Sequence, residues 1–208
     1  MKNLKIAIQK SGRLNEKSVL LLKNCGLDFE NYKSSLITTV SNFNLEILFL
    51  RDDDIPGYVE QGIADLGIVG ENVIDETQAQ VNYIQRLGFG KCMLKLAIPR
   101  DSSIADLKDL NGKSIATSYP VILKSFLDEY KIKADIQTIS GSVEIAPGLG
   151  LSDAICDIVS TGGTLKSNGL KPFADVRKSE AILIGREGLE DNGVLAELLQ
   201  RIQSVLRA

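Results

Sequence analysis

Short apolar runs bounded by charged residues or glycine alternate along the chain with segments whose apolar positions recur every three or four residues. Residues 4–8 read as a buried strand. Residues 16–25 read as a helix, with Asn15 as its cap, Val19, Leu20 and Leu22 on its apolar face, and Gly26 closing it. Residues 45–50 form a second strand that ends at Arg51-Asp52-Asp53-Asp54, and a short helix with Pro56 in its first turn runs on to about Gly62. Residues 65–69 are a further strand, after which Gly70-Glu71-Asn72 opens another helix. Strand followed by helix, repeated, predicts a largely parallel sheet covered on both faces, where ligands bind at the carboxyl ends of strands. That rule selects residues 9–13, 51–54 and 69–72 as candidate loops.

A second series starts at residues 92–99, after an extended stretch at 83–89. It continues through a strand at 113–117, a helix near 121–130, a strand at 134–139 and a glycine-rich segment from Gly141 to Gly150. A strand at 154–159, the loop 160–164 and a helix at 165–170 follow. Residues 173–185 are again extended, and 192–206 form an amphipathic terminal helix capped by Asp191. There is no internal repeat and no Ser/Pro-rich linker. The segment order predicts two α/β lobes joined by strands that cross near residues 88–98 and 172–184, the terminal helix returning to the first lobe. The first lobe is residues 1–90 plus 175–208 and the second residues 91–174.

The 208 residues are 44 % apolar and 25 % charged, which suffices for a core in one large domain or in two lobes of roughly 100 residues each. A net charge of −3 gives no basic field to recruit nucleic acid or an anionic membrane, while a local anion site stays open. The absence of histidine changes the picture most. It excludes a Ser-His-Asp triad, a Cys-His dyad, a His-ligated zinc and any histidine acid or base. Chemistry is left to carboxylates, hydroxyls, basic side chains, backbone dipoles or a borrowed metal. Cys25, Cys92 and Cys156 are scattered singly and read as small buried hydrophobes in a reducing compartment. The first residues lack a signal-peptide pattern, and no window approaches the ~18 apolar residues of a membrane span, so a cytoplasmic location is expected.

The sharpest local signal is Asp157-Ile158-Val159-Ser160-Thr161-Gly162-Gly163-Thr164-Leu165. Two glycines let successive N–H groups turn inward, three hydroxyls add donors, and a helix start adds partial positive charge. Together these suit a phosphate monoester, with Asp157 placed for ribose hydroxyls; a plain glycine turn with capping hydroxyls is the other reading. Lys10 and Arg13 bracket Ser11-Gly12 and suit a second anion, such as a nucleotide phosphate or a leaving diphosphate, or else form a solvated basic turn. Arg51 with Asp52, Asp53 and Asp54 is either a helix start or a partner for magnesium bound to phosphates. Gly141-Ser142-Val143-Glu144 offers one carboxylate to sugar hydroxyls. Aromatic residues are only 5 %, leaving no stacking set for single-stranded nucleic acid, and Tyr119 beside Pro120 reads as packing.

The stretch Gly141-Ser142-Val143-Glu144-Ile145-Ala146-Pro147, residues 150–165 and Asn168-Gly169-Leu170 strongly resemble the ATP phosphoribosyltransferase family, which begins histidine biosynthesis. The resemblance extends to residues 9–14, 51–57, 65–72 and 115–120, in order along essentially the whole chain. It implies two lobes similar to the type II periplasmic-binding-protein fold. It also implies transfer of phosphoribosyl from phosphoribosyl pyrophosphate to an adenine ring nitrogen of ATP, with release of diphosphate. By the same resemblance Ser160, Thr161, Gly162, Gly163 and Thr164 hold the 5-phosphate, and Asp157 and Glu144 address the ribose. Lys10, Ser11, Gly12, Arg13, Arg51 and Asp52 face ATP across the cleft, with Arg13 as the catalytic cation on the departing diphosphate. Mg2+ is carried by diphosphate and ATP, with no protein metal site.

In one place the sequence departs from the family. Lys33-Ser34-Ser35-Leu36-Ile37 has serines where members often place a basic residue, and Lys33 is a candidate substitute. A homodimer is implied, without nucleic-acid or membrane partners. Long-form members continue past the terminal helix into a histidine-binding domain, whereas this sequence stops at Arg207-Ala208. The expectation is therefore a histidine-insensitive catalytic core, either a truncated long form or a short form. A short form would work with a separate regulatory subunit resembling a histidyl-tRNA synthetase. The competing class is a non-catalytic two-lobe small-molecule-binding protein, because fold does not decide function; a phosphoribosyltransferase with another acceptor is the third reading.

Overall fold

Leu4, Ile6 and Ile8 face one buried cluster and Ala7 the other, so the first strand is covered on both sides and lies inside its sheet. The computed structural model describes residues 3–30, 35–159, 163–190 and 193–207. In chain order its elements are β1 (Leu4–Gln9), α1 (Arg13–Asn24), β2 (Ile37–Thr39), β3 (Leu45–Leu50), α2 (Ile55–Glu60), β4 (Leu66–Gly70), α3 (Glu71–Thr77) and β5 (Asn82–Arg86). Then come β6 (Cys92–Pro99), β7 (Ser114–Thr117), α4 (Pro120–Glu129), β8 (Asp135–Thr138), β9 (Ala154–Val159), α5 (Gly163–Ser167), β10 (Leu170–Ser179), β11 (Ala181–Gly185) and α6 (Val194–Arg207). The chain divides into two units, Met1–Gly90 with Glu180–Ala208, and Lys91–Ser179. Residues 175–179, grouped with the first lobe on sequence, pair with β6 and belong to the second unit.

The first unit holds a sheet of order β2-β3-β1-β4-β11-β5, the second a sheet of order β10-β6-β9-β7-β8. Each sheet is parallel over three strands only: β3, β1 and β4 at the centre of the first, and β9, β7 and β8 at one side of the second. The expectation of a largely parallel sheet is corrected to two mixed sheets. The reason is topological. The chain leaves the first unit after β5 and re-enters it at β11, so outgoing and returning strands pair antiparallel, β5 with β11 and β6 with β10.

Two helix starts also differ from expectation. Gly12, at φ +91°, turns the chain from strand into helix, so α1 begins at Arg13 rather than after Asn15. Asn15 is no cap; it is buried and its Nδ2 donates to the Gln9 carbonyl at 2.5 Å, tying the helix to β1. The helix expected at 165–170 begins at Gly163 and gives way to β10 at Leu170. The cap expected at Asp191 lies outside the described residues, as does Lys33. The largely exposed strand β2 has no counterpart in the predicted elements. Cys25 and Cys156 are buried and Cys92 half-buried, all as free thiols, and Tyr119 packs against the second unit's core. Among the described residues no helix is long and apolar enough to cross a membrane.

Helix α2 lies against β4 because position 67 has no side chain. A Cβ there would sit 2.8 Å from Ile55 Cγ2 and 3.1 Å from both Val59 Cγ2 and Ile184 Cγ1. Gly67→Ala should therefore cost about 1–3 kcal/mol of stability through overpacking. Urea unfolding followed by circular dichroism measures it; an unchanged midpoint would mean that α2 shifts away freely.

Candidate functional site

In the first unit Gln9 stands opposite Leu50 on the neighbouring parallel strand, and the Lys10 N–H donates to the Leu50 carbonyl at 2.7 Å. The turn Lys10, Ser11, Gly12, Arg13 and the run that starts at Arg51 are thereby neighbours at the carboxyl edge of the sheet. β4 pairs with β1 from Ile6↔Leu66, so the start of α3 reaches the same edge. Lys10, Ser11, Gly12, Arg13 and Arg51 are exposed there, and Asp52 is half-buried. Asp52, Asp53 and Asp54 form a 3₁₀ turn leading into α2, and none of their side chains makes a cap hydrogen bond to that helix. The Asp53 carboxyl is pushed above the usual aspartate range by burial and then by Asp52 and Asp54. Glu71, at the start of α3, is engaged by Arg86 at 2.8 Å, and Arg86 also approaches Glu180 at 3.6 Å. That network raises the Tyr83 phenol, through burial first and then Glu71.

The second unit builds its candidate site on β9. One face of its sheet carries Ala97, Ala116 and Ile155, on which Val143, Ala146 and Leu165 pack as a small cluster. The alanines leave room for the 3₁₀ turn Val143–Ile145, entered through Ser142 in the left-handed region at φ +49°. Burial of Val143 and Ala146 holds the half-buried Glu144 over β9, close enough for its charge to act on Asp157. Asp157 is itself half-buried, and its Oδ1 accepts from the Ile158 N–H at 2.7 Å. Burial pushes its carboxyl up, that hydrogen bond opposes the shift, and Glu144 adds to it. Thr117 Oγ1 donates to the Cys156 carbonyl at 2.7 Å and Ser118 Oγ to the Ile139 carbonyl at 2.6 Å, tying the strand ends around the glycine turn.

Gly163 and Thr164 are exposed in the first turn of α5, whereas Ser160, Thr161 and Gly162 lie outside the described residues. Thus the described candidates fall into two groups, one at each sheet. One neighbour of Asp157, and that neighbour's own partner, do not stand out in the sequence. Lys95 on β6 stands opposite Asp157 on one side and Asp175 on the other, and its Nζ is 2.5 Å from Asp175 Oδ1. A lone lysine inside the apolar run of β6 was the available signal, but its neighbours depend on strand register. Among the described residues no three Asp, Glu or Cys side chains converge as a metal cage.

The ATP phosphoribosyltransferase family model matches residues 51–204. An ATP phosphoribosyltransferase of Cytophaga hutchinsonii is 54 % identical over 207 residues, 99 % of this chain and 72 % of the relative. Among solved structures, the ATP phosphoribosyl transferase (HisG:HisZ) complex from Thermotoga maritima matches with a TM-score of 0.84 and 29 % identity, covering 98 % of both chains. The substrate-binding protein of an amino acid ABC transporter matches with a TM-score of 0.64 at 13 % identity, over 98 % of this chain and 93 % of that one, and shows the fold alone. A family model spanning most of the chain and a relative sharing more than half its residues agree, and the chain belongs to the ATP phosphoribosyltransferase family.

Proposed function

We propose that this chain transfers the phosphoribosyl group of phosphoribosyl pyrophosphate to an adenine ring nitrogen of ATP, releasing diphosphate in the first step of histidine biosynthesis. Beside the family membership, the observation that carries this reading is the half-buried Asp157–Glu144 pair at the carboxyl end of β9, directly before the hydroxyl- and glycine-rich run. Carboxylates so placed accept hydrogen bonds from a ribose diol. Ser160, Thr161, Gly162, Gly163 and Thr164 hold the 5-phosphate. In the first unit Lys10, Ser11, Gly12, Arg13, Arg51 and Asp52 bind ATP and the diphosphate.

The ring nitrogen attacks with its own lone pair, so the reaction needs no histidine base. As the carbon–nitrogen bond forms, the bond from the anomeric carbon to diphosphate breaks and its electron pair leaves with the diphosphate. Arg13 stabilises that growing charge. Mg2+ carried by the polyphosphate substrates would neutralise part of their charge. The two units act as one substrate-binding lobe each, in a cytoplasmic homodimer. The HisG:HisZ complex of the Thermotoga maritima protein supports a separate regulatory subunit as a partner of this chain.

The competing reading, binding without catalysis, has only the shared fold behind it. Incubation with ATP, phosphoribosyl pyrophosphate and Mg2+ separates the two: diphosphate release is expected, and saturable binding without release would reverse the assignment. Arg13→Ala should lower kcat about 100-fold while KM for either substrate stays within about threefold. Steady-state kinetics decide this, and a change confined to KM for ATP would make Arg13 a ground-state ligand.

Asp157 yields a test that links stability to function. Its folded pKa is raised, so the folded state carries a penalty at pH above that pKa. The penalty disappears below the unfolded value of about 3.9, where both states are protonated. Asp157→Asn should therefore raise Tm by about 2 °C at neutral pH and leave it unchanged near pH 3. It should also raise KM for phosphoribosyl pyrophosphate about tenfold. In the wild type that KM should rise as pH falls through the range just above the ordinary aspartate pKa. Calorimetry and kinetics across pH check both arms; a variant more stable yet equally active would remove Asp157 from the site.

A further inference from the structure

Lys95 lies in register between two carboxylates, Asp175 on β10 and Asp157 on β9. Strand β10 is irregular here, with register shifts between Pro172 and Ala174 and between Asp175 and Arg177. The extra residues, Phe173 and Val176, join Ala174 against the unit's larger core cluster, while Asp175 is level with Lys95. Side chains directly opposite on adjacent strands have Cβ atoms about 5 Å apart, so a lysine stem reaches either neighbour. The ammonium sits on Asp175, whose side chain is 59 % exposed. Asp157, the more buried carboxylate, has no ion-pair partner among the described residues. The other charge facing it is Glu144, from the turn packed over β9.

We propose that Asp175 is a positioning residue for substrate binding: by holding the Lys95 ammonium, it keeps the Asp157 carboxylate unpaired and open to the ribose hydroxyls. This rests on the reading of Asp157 as a ribose ligand. An ammonium seated on Asp157 would occupy its lone pairs, and the sugar would have to displace a partly desolvated ion pair to bind. Asp175 removes that competition from the exposed edge strand, where a charged residue is tolerated without cost to the core.

The test uses the full chain with Asp175→Asn, Lys95→Met, the double variant and, as a control on the reading itself, Asp157→Asn. The first readout is the titration of the Asp157 carboxyl by carbon-13 NMR without substrate, and the second is KM for phosphoribosyl pyrophosphate alongside kcat. Asp175→Asn should let Lys95 turn to Asp157, so that Asp157 titrates at lower pH than in the wild type. KM should rise about fivefold with kcat within about twofold. The double variant should restore both, which a merely structural role of Asp175 would not produce. An unmoved titration in Asp175→Asn, or a double variant no better than the single one, overturns the proposal. If Asp157→Asn raises KM while those results fail, the proposal alone falls. If Asp157→Asn leaves KM unchanged although the titration shifts, the ribose reading falls and takes this role of Asp175 with it.

Discussion

Three loops of the first unit share one edge because β1 runs parallel and in register between β3 and β4, with Gln9 opposite Leu50 and Ile6 opposite Leu66. Parallel strands that are level along their length end together. The basic turn after β1, the charged run after β3 and the helix start after β4 therefore meet, although the sequence separates them. Burial enforces the register. Ile6 and Ile8 fill one core cluster and Ala7 the other, and a slip of one residue would exchange those faces. The missing side chain at Gly67 completes the arrangement by letting α2 settle against β4, which holds the 3₁₀ turn of Asp52, Asp53 and Asp54 at the edge.

The second unit reaches a similar result by different means. Its central strand β9 is parallel to β7 but antiparallel to β6, so β6 presents Lys95 beside Asp157. Alanines at 97 and 116 leave space on one face for the turn that carries Glu144. Two carboxylates are thus held half-buried near each other, an arrangement that raises the pKa of Asp157 and works against stability. Positions that cost stability in this way are where binding or catalysis is expected, since a packing role would favour an uncharged side chain.

A chain without histidine fits the chemistry of its family. An adenine ring nitrogen brings its own lone pair and diphosphate departs as an anion, so proton transfer is not the difficult part. What the reaction asks of a protein is alignment of two polyanions and stabilisation of charge on the leaving group. The exposed cations at the strand ends of the first unit and the half-buried carboxylates of the second are groups of the kind that such chemistry uses. The likeness of the fold to a substrate-binding protein shows how little the architecture alone says about reactivity.

Much of this was legible in the sequence, because burial and helical periodicity are local. The strands β1, β3, β4, β6, β7 and β9 each show as an apolar run, and Asp157 with its glycine-rich sequel stands out by composition. The loops chosen by the strand-end rule do lie at one sheet edge. The tertiary structure decided the rest. Strand β2 is three residues, two of them exposed, too short to carry a pattern. Asn15 resembles a helix cap in sequence, but the left-handed backbone of Gly12 starts the helix earlier and releases the Asn15 side chain for the Gln9 carbonyl. The antiparallel pairs β5–β11 and β6–β10 arise from the return of the chain between units. The row of Asp175, Lys95 and Asp157 exists only because strands distant in sequence pair in one register with bulges in β10. Periodicity reports which face of a segment is buried; which charges become neighbours is settled by hydrogen-bond ladders between segments far apart in the chain.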